Sequence, residues 1–301
     1  MIARIIIQGR PLPAFLSGIE MYRQAEDLLL RSFRAWPSGV SARFMITPGG
    51  FLQSELPSGL SGRSGWNSVA GDFRLIQRAA ESVVRRVVTP RVLKAAIGKA
   101  DSLTIGIDLS DAAGIHAELV AFVRISDGKI LRWTGKSYPT AFQASTLIQV
   151  VNLQSHCLRF EGDRVLILGC HDLNMFSPRG WSNQLPGGDR RKRCRSMRSL
   201  VSEFRPTVVL QHPHTTDSPR VWLLPWASLT KSCRTIHDWA SGICFYNKGG
   251  VRSTLGKVTA ATRGSEGLDF AFRTSRGGRI LGPKVLKPLP FDPKRDLALG
   301  H

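Results

Sequence analysis

From residue 162 to residue 173 the chain reads Gly-Asp-Arg-Val-Leu-Ile-Leu-Gly-Cys-His-Asp-Leu. The apolar run that ends at Gly169 is short and does not alternate with polar residues, which is typical of a strand covered on both faces. Cys170 follows this strand directly. A nucleophile on a sharp turn after a buried strand is held in place, and backbone N–H groups of the turn can stabilise an oxyanion. The segment favours an α/β sheet with Cys170 as a candidate nucleophile, although a lone cysteine is usually a small buried hydrophobe.

Other strands of the same character lie on both sides of this segment. Short apolar runs predict strands over residues 3–8, 43–47, 102–108, 164–169 and 207–211. Amphipathic spacing predicts helices over 20–33 and 72–88. Residues 119–125 and 129–134 form a predicted hairpin, because the Asp127-Gly128 pair between them is a strong turn signal. Apolar strands that alternate with helices predict an α/β protein with four layers, an α-β-β-α sandwich.

The rest of the second half is less regular. We expect a loop rich in Gly, Pro and Arg over 177–195, a short helix over 196–203 and a longer helix over 226–240. Short strands are expected over 243–246, 268–272 and 279–281. The chain is rich in Pro and Lys from residue 283 onward, which indicates a surface tail or a subunit contact. The predicted organisation is one domain over 1–285 followed by a C-terminal tail over 286–301.

Lys136 lies just after the second strand of the predicted hairpin. An ammonium group near Cys170 would stabilise the thiolate and then the oxyanion of a tetrahedral intermediate. Taken alone, Lys136 reads as a solvated turn residue. The order of hairpin, lysine, buried strand and cysteine favours a catalytic pair.

Two segments of the chain resemble the nitrilase superfamily of carbon–nitrogen hydrolases. They are residues 127–139, DGKILRWTGKSYP, and residues 162–173, GDRVLILGCHDL. The family has Asp-Gly, then an aromatic residue and a lysine, and later a strand that ends in Cys-x-Asp; the likeness of pattern extends over about residues 1–285.

This resemblance implies a role for each matching residue. Cys170 would attack an amide, carbamoyl or nitrile carbon, and Lys136 would stabilise the tetrahedral intermediate. The backbone N–H of His171 would help to hold the oxyanion, and Asp172 would orient the turn. The resemblance also implies a small-molecule amide-like substrate and a homodimer, and we expect no cofactor.

The chain departs from the family at the position of the general base. The family has a glutamate in a Pro-Glu pair after the second strand, but here Pro48 is followed by Gly49, which has no proton acceptor. Loss of a general base typically slows turnover by about 10²–10⁴-fold. Glu55 in the adjacent loop is the tentative substitute, and the other candidates are His171, His116 and Glu118. The alternatives are altered acyl-transfer chemistry or a catalytically inactive relative that binds a ligand in the old pocket.

Histidines and carboxylates elsewhere leave other kinds of site open. His212 and His214 follow the strand over 207–211, so they are either binding residues at a pocket rim or hydrogen-bonded loop residues. The adjacent Cys and His pairs match no compact zinc motif, so no metal site is predicted. A metal-dependent RNase H-like nuclease would use Asp108 with further carboxylates, for which Asp172 and Asp269 are the candidates.

The composition indicates the general class of the protein but not its reaction. The net charge is +20 in 301 residues, which attracts nucleic acid or anionic surfaces non-specifically. The densest basic run is Arg190 to Arg198, which would carry the nucleic-acid-binding alternative and otherwise reads as a solvated loop. Five single cysteines, no signal-peptide pattern and no long apolar stretch indicate a reduced, cytoplasmic protein without a membrane span.

Overall fold

The computed structural model describes residues 1–9, 18–60, 70–140, 143–178, 188–275 and 280–287. The strands, in chain order, are β1 (Ile2–Gln8), β2 (Ala42–Ile46), β3 (Leu52–Glu55), β4 (Ala100–Ser110), β5 (His116–Arg124), β6 (Ile130–Gly135), β7 (Cys157–Phe160), β8 (Asp163–Leu168), β9 (Val208–Gln211), β10 (Asp238–Ser241), β11 (Ile243–Phe245), β12 (Gly267–Thr274) and β13 (Ile280–Leu286). The α-helices are α1 (Gly18–Arg34), α2 (Ala70–Val87), α3 (Pro90–Ala96), α4 (Asp189–Phe204), α5 (Leu223–Ser232) and α6 (Leu255–Ala260). Within these ranges, no helix has both the length and the apolar character that crossing a membrane requires.

The larger sheet contains the N-terminal strands and the predicted hairpin. Its order is β13-β12-β1-β2-β4-β5-β6, with β11 paired to β1 and β3 paired to β4. β1, β2 and β4 run parallel, whereas β4, β5 and β6 form an antiparallel meander. The β4–β5 register places Asp108 opposite Glu118. Residues directly opposite each other on antiparallel strands are close in space, so these two carboxylates share one end of the sheet.

The smaller sheet has the order β10-β9-β8-β7, in which β8, β9 and β10 are parallel. Successive side chains on a strand point to opposite faces. Accordingly, Val165 and Ile167 of β8 pack against the larger sheet, while Leu166 and Leu168 pack against the helical side. Since β8 and β9 are parallel, Cys170 and the residues that follow β9 emerge at the same edge.

Three hydrophobic clusters account for the four layers. One outer cluster joins the larger sheet to α1, α2 and α3. A central cluster joins the two sheets, with Phe44 and Phe122 on one side and Phe160 and Ile167 on the other. The second outer cluster joins β8 and β9 to α4 and α5. The predicted α-β-β-α sandwich is therefore confirmed.

Parts of the second half differ from the sequence-based expectation. The predicted loop over 177–195 ends earlier than expected, because α4 begins at Asp189 and includes the basic run. The predicted helix over 226–240 is two elements, α5 and then β10, which pairs with β9. β13 extends to Leu286, one residue beyond the predicted domain end, and residues 288–301 of the predicted tail lie outside the described part of the chain.

Candidate functional site

A cavity of about 660 Å³ lies where the ends of the two sheets meet. Both sheets and the turns after them contribute charged or nucleophilic side chains to its lining: Asp108, Glu118, Lys136, Cys170, His171 and His214. Pockets at the carboxyl ends of strands are common ligand sites in α/β sheets. The local sequence after each strand therefore determines which chemistry the cavity holds.

Cys170 is buried at the base of this cavity, with 5% of its surface exposed. The backbone N–H of His214 donates to its Sγ at 3.3 Å, and Gln211 Nε2 donates to its carbonyl oxygen at 2.9 Å. Burial by itself raises the pKa of a thiol, but interactions with His171 and His214 outweigh it and lower the pKa of Cys170 from 9.0 to about 5. A thiolate is the nucleophilic form of cysteine, so this thiol is prepared to attack at neutral pH.

Lys136 is buried beside this thiol and held by two partners. Its Nζ donates to Glu118 Oε1 at 2.9 Å and to Gln143 Oε1 at 2.5 Å. Gln143 also donates to Glu118 Oε1 at 3.0 Å, which fixes the carboxylate. Burial opposes the charge of Lys136, but Glu118 and Cys170 reverse that effect and raise its pKa above the ordinary value. Lys136 is therefore a fixed positive charge at the cavity wall.

His214 joins the two sheets electrostatically. Its Nε2 lies 2.7 and 2.8 Å from the two carboxylate oxygens of Asp108, and its Nδ1 lies 3.3 Å from Glu118 Oε2. Burial lowers the pKa of an imidazole, but Asp108 and Glu118 outweigh it and raise the pKa of His214 well above 6.5. Burial raises the pKa of Glu118, but His214 and Lys136 outweigh it, so the net pKa lies below the ordinary value.

Asp172 organises the turn around Cys170 without lining the cavity. Its carboxylate accepts backbone N–H groups from Ser137 and Tyr138, both at 2.8 Å, and from Gly169 at 2.9 Å. It thereby connects the segment after β6 to the turn after β8. These contacts lie within the protein, and both the binding role considered for Asp172 and the turn-orienting role that the resemblance implied stay predictions.

The remaining predicted site residues are divided between the cavity and its surroundings. His171 lines the cavity, with backbone angles φ −97° and ψ 3° at the start of the 3₁₀ turn Asp172–Phe176. His212 is buried away from it, with its Nδ1 2.8 Å from the carbonyl oxygen of Thr47, and burial lowers its pKa to about 3. Because β9 ends at Gln211, His212 and His214 do not share a face as expected.

Glu55 is exposed at the end of β3, where it pairs in register with Ser110, and it is not among the residues that line the cavity. The structure therefore does not bring the tentative base to the thiol. Glu118, which the sequence offered only as one of several candidates, is buried in the cavity wall instead.

The carboxylates considered for a nuclease do not assemble. Asp108 is bonded to His214, Asp172 holds the turn, and Asp269 forms a buried ion pair with Arg4 at 2.7 Å. Across the described ranges, the cluster with metal-ligand geometry comprises Glu118, Cys170 and His214, whose donor atoms lie within 4.8 Å of one another. The ammonium of Lys136 at 2.9 Å from Glu118 opposes a divalent cation there.

Sequence reasoning missed the pairing of Asp108 with His214. The two residues are 106 positions apart, and each was considered for a different kind of site. One signal was available: Gly49 and Gly50 come directly after a buried strand, and glycines allow another part of the chain to approach closely. A Cβ at Gly49 would lie 2.9 Å from two atoms of the His214 ring, and one at Gly50 would lie 2.6 Å from Asp108.

Neither family models nor curated proteins match this chain. Among solved structures it is similar to a glutamate-to-glutamine mutant of the amidase from Nesterenkonia sp. AN1, which shows Michael addition of acrylamide at the active-site cysteine (TM-score 0.51, 14% identity, 99% of this chain and 97% of that chain). It is also similar to a cysteine-to-serine mutant of that nitrilase-superfamily amidase (TM-score 0.50, 13% identity, 99% and 93%). Likeness at such low identity concerns the fold. The chain therefore has the four-layer fold of a nitrilase-superfamily amidase, as the sequence resemblance implied.

Proposed function

We propose that this protein is a thiol-dependent hydrolase or transferase that acts on a non-peptide carbon–nitrogen bond in an amide, carbamoyl or nitrile group. The observation that carries the proposal is the position of Cys170: a buried thiol with a lowered pKa, in a cavity that also contains the ammonium of Lys136. Its sequence setting resembles the nucleophile segment of the nitrilase superfamily, and similar solved structures belong to an amidase with an active-site cysteine.

The proposed reaction uses groups that line the cavity. The Cys170 thiolate adds to the carbonyl carbon of an amide, and the carbonyl electron pair moves onto oxygen. Lys136 and the backbone N–H of His171 stabilise that oxyanion, which is the largest contribution in many acyl-transfer enzymes. Loss of the amine leaves a thioester on Cys170, which water or another acceptor then cleaves. The cavity is large enough for a small-molecule amide, and its volume lies in the usual range for ligand sites.

A catalytically inactive binding protein is the second candidate, because Gly49 removes the family's base. The homodimer, the cytoplasmic location and the non-specific attraction to nucleic acid stay predictions. Arg193 and Arg198 of the basic run donate to backbone carbonyl oxygens of Val150 and Met175, so they are partly committed within the chain.

Alkylation with iodoacetamide tests the proposal. We expect Cys170 to be modified before the other four cysteines at neutral pH, as mapped by mass spectrometry. With alkylation followed from pH 4 to pH 9, Lys136→Ala should raise the pH at which the rate reaches half its maximum, because it removes a charge that stabilises the thiolate. The matched control is Lys99→Ala, whose Nζ donates to the Ala95 carbonyl in a helix-end contact away from the cavity.

Two results would contradict the proposal. Cys170 could stay unmodified in the folded protein while reacting after unfolding, which would make it a core cysteine. Alternatively, the pH dependence of its alkylation could be the same in the wild type and in Lys136→Ala. If Cys170 is instead labelled as expected, assays with a panel of simple amides, carbamoyl compounds and nitriles would define the substrate class.

A further inference from the structure

The position that corresponds to the family's glutamate has no side chain in this protein, and another residue fills the space. The resemblance puts the family's general base at residue 49, where this chain has glycine. A Cβ at Gly49 would lie 2.6 Å from the His212 carbonyl oxygen and 2.9 Å from both Cε1 and Nδ1 of His214. Real Cβ atoms do not approach that closely, so a side chain at residue 49 and the imidazole of His214 exclude each other. The imidazole occupies the space that the first atoms of a side chain at this position would take.

The chain is built to hold His214 there. The backbone N–H of Gly49 donates to the Pro213 carbonyl oxygen at 3.0 Å, which joins the segment after β2 to the segment after β9. Gly50 has a φ of 61°, and a Cβ on it would lie 2.6 Å from Asp108 Oδ2. Two successive glycines therefore make room for both the imidazole and the carboxylate that orients it.

The two imidazole nitrogens have different tasks. Nε2 is taken up by Asp108, so Nδ1 is the nitrogen that remains, and it lies 3.3 Å from Glu118 Oε2. Donor atoms of His214, Glu118 and Cys170 lie within 4.8 Å of one another. A nucleophile, a base beside it and a third group that orients the base are the parts of an activated nucleophile.

The other candidate bases are occupied or distant. Glu118 Oε1 accepts from both Lys136 and Gln143, and its Oε2 lies 3.3 Å from His214 Nδ1, so the carboxylate is held between the ammonium and the imidazole. His171 also interacts with the thiol, but its Nδ1 faces the amide of Asn174 at 3.1 Å and not a carboxylate. His116 Nε2 faces Gln143 Nε2 at 3.3 Å, and Glu55 is exposed outside the cavity. His214 is the candidate with a carboxylate on its far nitrogen.

We infer that His214, oriented by Asp108, replaces the missing glutamate as the general acid–base of the Cys170 reaction. This inference rests on the proposed function and names the proton carrier for it. The groups that face the imidazole are Asp108 from β4, Glu118 from β5 and Cys170 from the turn after β8. Their negative charges favour a resting pair in which the proton is on His214 and Cys170 is a thiolate.

The proton balance of the reaction is then complete. The thiolate forms the C–S bond, and as the C–N bond breaks the imidazolium gives its Nδ1 proton to the leaving nitrogen. Neutral His214 next accepts a proton from water as the water oxygen bonds to the thioester carbon. Collapse of that second intermediate breaks the C–S bond and restores the thiolate and the imidazolium. No oxidant, reductant or metal ion is needed.

Hydrolysis of p-nitrophenyl acetate separates the two steps. In the wild type we expect a burst of p-nitrophenolate that is absent from Cys170→Ala, followed by steady turnover. In His214→Gln the acetyl-enzyme should accumulate, visible as an acetylated Cys170 by mass spectrometry, and turnover should fall about 10²–10⁴-fold. Added imidazole should restore part of the turnover of His214→Ala. His237→Gln, which changes an exposed histidine, is the matched control and should behave as the wild type.

Asp108→Asn tests whether Asp108 orients the imidazole of His214. It also keeps the inference testable if circular dichroism shows that the His214 variants do not fold. We expect it to shift the pH profile of turnover, because an amide cannot stabilise the imidazolium as a carboxylate does. If His214→Gln and Asp108→Asn deacylate at the wild-type rate with an unchanged pH profile, the inference about His214 is overturned. A burst from the wild type would still support the proposed thiol chemistry of Cys170. Absence of any burst from the wild type would overturn both.

Discussion

At the scale of single residues, the salt bridge between Glu118 and Lys136 stabilises the fold to a degree that depends on pH. Glu118 is almost fully buried between Lys136 and His214, and these two charges lower its pKa below the ordinary 4.5 despite burial. A carboxylate with a lowered pKa in the folded state stabilises the fold above its unfolded pKa, and this stabilisation is lost as pH falls. Glu118 therefore contributes most above about pH 4.5.

Glu118→Gln should reduce the free energy of unfolding at neutral pH, by roughly 3–5 kcal/mol if the buried ammonium is left unpaired. The difference from the wild type should shrink as the pH is lowered below about 4.5, because Glu118 of the unfolded chain then takes up a proton while the folded carboxylate keeps its charge to a lower pH. Urea unfolding at a series of pH values measures this. A difference that is constant over the whole pH range would contradict the assignment.

The residue scale also shows what a sequence can reveal about a site. Cys170 and Lys136 were predicted from local pattern, because each follows a recognisable strand and lies in a recognisable segment. Asp108, Glu118 and His214 were each named, but not as partners. Their proximity depends on how β4, β5 and β9 are brought together from two sheets, and nothing in their local spacing encodes that.

At the scale of elements, the position of Lys136 depends on a close approach between two backbones. A Cβ on Gly169 would lie 2.7 Å from the Cα and 2.8 Å from the backbone N of Lys136. Only a glycine at the end of β8 lets the segment after β6 lie against it. The glycine before Cys170 therefore allows the backbone of Lys136 to lie against the end of β8.

Gly169→Ala should destabilise the protein by about 1–3 kcal/mol, since it forces a methyl group into a packed backbone contact. It should also raise the pH at which iodoacetamide alkylation of Cys170 reaches half its maximum rate, because Lys136 is displaced. Thermal unfolding and the pH dependence of alkylation measure the two effects. Gly256→Ala in α6 is the control: a Cβ there meets nothing within 4 Å, so we expect no loss of stability or reactivity. If Gly169→Ala and Gly256→Ala have the same stability and the same Cys170 reactivity, the close approach between the backbones of Gly169 and Lys136 is unimportant.

The predictions of two elements from the sequence were wrong for physical reasons. The charges of residues 189–195 hide the apolar positions of α4, where Cys194, Met197, Leu200 and Val201 are buried. The helix predicted over 196–203 therefore begins earlier, at Asp189, because packing of those residues against β8 and β9 stabilises a longer helix than the local composition indicates. In the predicted helix over 226–240, the chain leaves the helix at Ser232 because β10 adds to the parallel edge of β9.

At the scale of the whole molecule, the layered sandwich was predictable and the division of strands between two sheets was not. Apolar runs covered on both faces indicate sheets between layers of helices, whichever strands pair. Strands β7, β8, β9 and β10 form a separate sheet, and its place against the larger sheet depends on long-range contacts. One of them is the contact between the rings of Phe122 and Phe160, whose centroids are 5.0 Å apart. That division assembles the site, because one sheet leads into Cys170 and His214 and the other carries Asp108 and Glu118.

The central claim is that this convergence makes Cys170 a thiolate at neutral pH. Titration of the ultraviolet absorbance of thiolate, taken as the difference between the wild type and Cys170→Ala, measures it directly. We expect a midpoint near pH 5, whereas burial raises the pKa of Cys157 to about 11 and of Cys244 to about 12, so those thiols do not interfere. A midpoint at or above the ordinary thiol value of 9.0 would contradict the account, since Cys170 would then be a buried core residue at neutral pH.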